Sequence, residues 1–131
     1  MLYTYSVRTS RECMKNITKE VEDALKKSAA QKGICVVFCP HTTAAITINE
    51  DTDPGVQSDF LAGLGKAFPD LPEFLHAEGN SAAHLKSSAV GASETVLIEE
   101  GRLILGKWQG IYFCEFDGPR NRQFYVKIIE E

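Results

Sequence analysis

The chain has 131 residues, 44% of them apolar and 24% charged, which suits one soluble domain spanning residues 1–131 and is too short for two well-packed ones. Its 14 Lys and Arg against 18 Asp and Glu leave a net charge of −4, so nothing draws it to a phosphate backbone, and nucleic acid is not an expected partner. No apolar run reaches the roughly 18 residues of a membrane span, and the opening MLYTYSVRTSRECM lacks an apolar signal core, so a cytoplasmic protein with no membrane contact is expected.

Residues 2–7 alternate as an opening strand. Over residues 17–32 the apolar positions Ile17, Val21, Ala24, Leu25 and Ala29 recur at helical spacing, with Asn16 or Thr18 to cap the start and Gly33 to end the helix. Residues 34–39 read as a buried strand, Pro40 to Thr43 as a break, and residues 44–49 as a second strand. Asp53-Pro54 signals a helix with Val56, Phe60, Leu61 and Leu64 on its inner face, ending near Pro69. Gly79 makes the segment from His76 a loop until Asn80 caps a short helix running toward Gly91. Strands then follow at 94–98 and 103–105.

The C-terminal sequence GIYFCEF-DGPRNR-QFYVKII reads as a hairpin in which Phe116 meets Gln123. One face then holds Ile111, Phe113, Glu115, Phe124, Val126 and Ile128, with Glu115 as its only charge. An ionised carboxylate left unpaired there costs several kcal/mol. It either binds a cation or positioned donors, takes up a proton, or pairs with Arg120 or Arg122.

Cys13, Cys35, Cys39 and Cys114 include no CxxC pair. In a strand, Cys35 and Cys39 lie about 13 Å apart, too far for a disulfide or a shared metal. Four reduced, mostly buried thiols are expected, and a domain of this length needs neither disulfide nor metal to fold.

The chemistry sits elsewhere. His41, His76 and His84 all occupy loop or helix-edge positions, where sites are commonly assembled on a rigid scaffold. Their spacing leaves two readings open, a shared metal site or ordinary hydrogen-bonded histidines. Asn49, Glu50, Asp51 and Asp53 close the second strand, while Glu78 and Asn80 share the loop of His76; such oxygens suit a hard cation or a metal-bound water, or serve as caps and turn residues. Lys86, Arg120 and Arg122 suit a phosphate, or are solvated tips. No nucleophile elbow, P-loop or GxGxxG is present.

Taken in order, HTTAAITINE (41–50), HAEGNSAAHLK (76–86) and GRLILGKWQGIYFCEFDGPRNR (101–122) resemble the YjbQ family, often called secondary thiamine-phosphate synthases, over essentially the whole chain. The resemblance implies an α+β fold, a mixed, mostly antiparallel β-sandwich-like sheet with flanking helices, assembled as a homotrimer with sites near subunit contacts. Its implied reaction joins an aminopyrimidine methyl pyrophosphate to a thiazole phosphate with release of pyrophosphate. Carried onto this chain, His41, His76 and His84 become the metal positions for Zn²⁺ or Mg²⁺, with Thr42, Asn49, Asn80, Lys86 and Arg120 binding the phosphorylated small-molecule substrate. Glu50, Glu78 and Lys86 are the candidate catalytic groups. Three imidazoles favour a transition metal whereas pyrophosphate favours magnesium. Two further functions stand beside the synthase, a metal-dependent hydrolase or lyase with Glu50 or Glu78 as base, and a non-catalytic trimer binding a metal or phosphometabolite.

Overall fold

In a computed structural model that describes residues 1–131, the chain order is β1 (Leu2–Arg8), β2 (Cys13–Asn16), α1 (Thr18–Ser28), β3 (Gly33–Phe38), β4 (Ala44–Glu50), α2 (Pro54–Ala67), α3 (Ser81–Val90), β5 (Ser93–Glu99), β6 (Arg102–Leu103), β7 (Gln109–Glu115) and β8 (Asn121–Glu130). The strands form a five-stranded sheet, β1-β8-β3-β5-β6, and a three-stranded sheet, β2-β7-β4. Every strand pair is antiparallel. The expected α+β sandwich with flanking helices is therefore present. No helix is long and apolar enough to cross a membrane.

Period-2 alternation decides how the two sheets meet. Ile46, Ile111 and Phe113 of the small sheet face Cys35, Val37, Val96, Ile98, Phe124, Val126 and Ile128 of the large one, and α1 adds Val21, Ala24 and Leu25 to the same core. The opposite face of the small sheet carries Ala45, Tyr112, Cys114 and Phe116, packed with Ala83 of α3 and the half-buried Phe60, Leu61 and Leu64 of α2. A strand covered on both faces reads as continuously apolar, and β7 is buried from Gly110 onward. Cys35, Cys39 and Cys114 are buried free thiols, and Cys13 is half-buried.

Two expectations need correction. The sequence 110–129 is not a hairpin: β7 pairs with β2 and β4, whereas β8 pairs with β1 and β3, so the segment between them crosses from one sheet to the other. The predicted apolar face is nonetheless right, because those side chains meet across the core instead of along a ladder. Alternation fixes which side of a strand is buried and leaves its partner open. The first helix also stops at Ser28, four residues before the expected end at Lys32, because Ala29 turns left-handed at φ 58° and donates its N–H to the Leu25 carbonyl at 3.1 Å. Gly33 opens β3 instead; a Cβ there would lie 2.0 Å from the Ile129 carbonyl oxygen, so only glycine lets β3 and β8 approach.

Candidate functional site

The break before β4, the loop before α3 and the crossing segment after β7 converge at one end of the sandwich. Together they line a hollow of about 380 Å³ with Pro40, His41, Thr42, Thr43, His76, Glu78, Asn80, His84, Arg120 and Arg122. The predicted positions His41, Thr42, His76, Glu78, Asn80, His84 and Arg120 are thus brought together. Gly79, at φ 73°, turns the loop so that its N–H reaches the His76 carbonyl at 3.1 Å. That turn returns His76 to α3, where its ring meets His84 edge to face at 5.1 Å between centroids.

His41 is held differently. Its Nε2 lies 3.0 Å from both the backbone N–H and the carbonyl oxygen of Gln123, so it accepts from the N–H when unprotonated and donates to the carbonyl when protonated. Burial, and then the Arg122 charge, hold its pKa below the ordinary imidazole value, which the Gln123 backbone partly counters.

Behind the hollow lies the charge expected on the apolar face. Glu115 is 0% exposed and pairs with Arg122, 6% exposed, which resolves its alternatives in favour of the ion pair. Arg122 Nε donates to Glu115 Oε1 at 2.7 Å, and its Nη2 donates to Glu115 Oε2 and to Thr43 Oγ1. Thr9 Oγ1 and the Asp117 N–H complete the carboxylate's shell at 2.7 and 2.9 Å. Burial pushes the Glu115 pKa up, but these donors, Arg122 foremost, bring it below the usual carboxylate value. Gly118 is obligatory here, since a Cβ would come within 2.1 Å of the Ser10 carbonyl oxygen.

Lys86 does not share the hollow of the histidines. His84 and Lys86 are two residues apart on one helix, about 200° around its axis, so they face opposite ways. Lys86 Nζ bonds Glu12 Oε2 at 2.9 Å in a second hollow of about 300 Å³, lined also by Arg11, Asp70, Phe116 and Asp117. Asn80 borders both hollows. It does not cap α3 as expected, because its Nδ2 donates to Asp117 Oδ2 at 2.8 Å. Arg120 Nη2 donates to the same oxygen at 3.1 Å. Burial raises the Asp117 pKa, and the Asn80 and Arg120 donors bring it below its ordinary value.

Asn49 and Glu50 are the other departure. They end β4, whose start adjoins the hollow, and six strand steps place them about 20 Å away. Within one chain Glu50 therefore cannot act on anything held by the histidines, nor can Asn49 orient it. Trp108 shares that distant end, its carbonyl accepting the Asp51 N–H at 3.0 Å. Sequence reading missed Arg11, Glu12 and Thr9. They lie in the polar stretch around RTSRE, which carries no periodic signal.

A preformed three-imidazole metal cage is not what these side chains build. No group of three or more His, Cys, Asp or Glu is disposed to hold an ion, and the backbone of Gln123 occupies the His41 Nε2. His76 and His84 stand as neighbouring donors of the kind a transition metal takes.

The family model for the UPF0047 protein YjbQ-like family matches residues 3–131. The chain is 53% identical over 131 residues to the UPF0047 protein YugU of Bacillus subtilis, covering 98% of this chain and 99% of that protein. It is 51% identical to a UPF0047 protein of Methanocaldococcus jannaschii over 130 residues, 98% of this chain and 94% of the relative. A crystal structure of a YjbQ/UPF0047 family protein from Clostridium acetobutylicum superposes with a TM-score of 0.95 at 52% identity, covering 97% of this chain and 99% of the other. A YbjQ-like protein from Sulfolobus solfataricus gives a TM-score of 0.95 at 34% identity, with 100% and 97% covered. With residues 3–131 matched by the family model and the sandwich shared with solved members, the chain belongs to the YjbQ/UPF0047 family.

Proposed function

We propose that the histidine-lined hollow binds a phosphorylated small molecule and that the protein is a thiamine-phosphate synthase-like transferase. The observation that carries this reading is the lining itself: three imidazoles, two threonines, an asparagine, a glutamate and two arginines, with Pro40 the one residue lacking a polar side chain. Such convergent donors match phosphate oxygens.

In the proposed reaction the bond between the aminopyrimidine methylene carbon and the pyrophosphate oxygen breaks. Pyrophosphate leaves with the electron pair, and the thiazole ring nitrogen bonds to the same carbon. No proton moves at the reacting atoms, so positioning and charge stabilisation must supply the acceleration. Arg120, His76 and His84 receive the leaving group, Thr42 and Asn80 orient it, and Glu78 offsets the positive charge developing on the methylene. Zn²⁺ at His76 and His84, and Mg²⁺ arriving with the pyrophosphate, are the two metal proposals, and chelation followed by re-addition of each separates them.

Apart from Pro40, the hollow has no apolar or large aromatic side chain to pack a flat ring. A homotrimer supplies one if a neighbouring copy brings up its Asn49, Glu50 and the half-exposed Trp108. The row Leu97-Ile34-Ile129, adjacent across β5, β3 and β8 on the outer face of the large sheet, favours self-association, since Leu97 and Ile129 are 58% and 48% exposed.

A second reading, a metal-dependent hydrolase or lyase, is favoured by the His76–His84 pair and by Glu78 as the one carboxylate in the hollow. Glu50 has no part in that reading within a single chain.

The test is incubation of the purified protein with both substrates, with Mg²⁺ or Zn²⁺ supplied. Equal amounts of thiamine phosphate and pyrophosphate are expected, with kcat reduced about 10²–10³-fold in Arg120→Gln or His84→Gln. Absence of product above buffer sinks the synthase. Phosphoester hydrolysis that stops on chelation and in Glu78→Gln establishes the hydrolase instead, and ligand binding without turnover leaves a non-catalytic trimer.

A further inference from the structure

We propose that the hollow around Lys86 and Arg11, across Asn80 from the histidines, is a second anion subsite that takes another phosphoryl group of the same small-molecule ligand. The inference rests on reading the histidine hollow as a phosphorylated-metabolite site.

The state of Lys86 is the first support. The residue is 8% exposed, and an ammonium withdrawn that far from water costs several kcal/mol unless it is fully partnered. It has a single hydrogen bond, to Glu12, whose side chain is 38% exposed on the loop between β1 and β2. Two of its three N–H donors remain unassigned. Comparison with Arg122 shows what a finished structural pair looks like, since there the carboxylate is fully enclosed and bonded by three different residues. Lys86 is held by one partly exposed carboxylate on the lining of a hollow.

Arg11 is the second support. The residue lines the same hollow, its side chain makes no hydrogen bond or ion pair, and its backbone is fixed, the Gly118 N–H bonding the Arg11 carbonyl at 2.9 Å. A free fork beside a half-satisfied ammonium is a geometry suited to phosphate oxygens.

Asn80 joins the two hollows. Its amide nitrogen is committed to Asp117, which fixes which end is oxygen, and that Oδ1 is buried with no partner. A buried acceptor left unmade costs about 1–3 kcal/mol. A ligand hydroxyl or amino group passing between the hollows would satisfy it. The ligand class that fits is therefore a small molecule with two separated phosphoryl groups and a donor between them, or two phosphorylated reactants placed side by side.

Three carboxylates lie on this lining, Glu12, Asp70 and Asp117; Asp117 is held by Asn80 and Arg120, and Glu12, bonded to Lys86 itself, is the direct competitor and provides the sharpest test. If the Lys86–Glu12 pair were only structural, Glu12→Gln would lower stability and leave anion binding alone. If the hollow is a subsite, the bound phosphate displaces or repels Glu12, and Glu12→Gln tightens inorganic phosphate there by about tenfold. Calorimetric titration of inorganic phosphate into the full-length chain is expected to find two sites per chain, one lost in Arg11→Gln and in Lys86→Gln, the other in His84→Gln. Arg11 is exposed, so its variant keeps the test valid should Lys86→Gln fail to fold. Two sites retained in Arg11→Gln, or no tightening in Glu12→Gln, overturns the proposal. A site lost in Arg11→Gln with no second site sensitive to His84→Gln leaves this subsite standing and removes the reading of the histidine hollow.

Discussion

On its inner face the three-stranded sheet presents Ile46, Ile111 and Phe113 to the large sheet, all at 0% exposure, whereas its outer face rests against α3 and against α2, a helix with no buried residue. The inner face is also where the one deeply buried ion pair lies, tying β7 to β8 at the point where the chain changes sheets. The candidate site straddles this boundary. His41, Thr43 and Arg122 are pinned from the inner side, while His76, Glu78 and His84 arrive on the loop and helix of the outer layer. One half of the site is therefore preorganised by the core, and the other half is carried by the outer layer, on α3 and the exposed loop before it.

The largest expected effect comes from breaking the pin. Arg122→Ala leaves Glu115 ionised and enclosed without its main donor, and about 3–5 kcal/mol of stability should be lost. Phe113→Ala, which opens a cavity in the same core, should cost a similar ~3–5 kcal/mol. Equilibrium urea unfolding measures both. A loss below about 1 kcal/mol for Arg122→Ala would mean that water reaches Glu115 and that the two halves of the site are equally soft.

The same contrast explains which features could be read in advance. The strand alternation of residues 110–116 and 123–129 told which side chains go inside, and Glu115 stood out as the one charge among them. The partner strands were not legible, because β2 is the four-residue CMKN, too short and polar to register as a competitor for β7. His41, His76 and His84 were marked by their loop positions, yet their convergence depends on the Gly79 turn and on a crossing that periodicity cannot reveal. Lys86 stands apart from the site implied for it for a simpler reason. Residues two apart on a helix point in different directions, so closeness to His84 along the chain is not closeness in space.

A smaller effect is expected on the outer face. Leu64 is half-buried, so Leu64→Ala forfeits only part of a leucine's burial, about 1 kcal/mol. Amide hydrogen exchange should show α2 opening at a lower free energy than β7, and Leu64→Ala should lower the α2 value while leaving the β7 value nearly unchanged. Equal protection of α2 and β7 would contradict the division into a pinned inner and an outer layer.

The smallest effect is a pH step that singles out the pinned histidine. His41 edges against Phe113 at 6.4 Å between ring centroids, and its pKa lies below the 6.5 it has when unperturbed, chiefly through burial and then through Arg122. Between those two values the unfolded chain holds a proton that the folded chain does not, so stability is fully present above 6.5 and falls as pH drops through the folded value. Glu115 and Asp117 act in the same direction in a lower window, their folded values lying below 4.5 and 3.8, so their contribution is lost only in stronger acid. The urea midpoint should thus decline in two separate stages as pH is lowered. His41→Gln should abolish the upper stage and keep the lower, because a glutamine amide can accept from the Gln123 N–H at every pH and has no proton to gain. An upper stage that survives in His41→Gln would move the titrating group to another residue and remove His41 from the pinned side of the site.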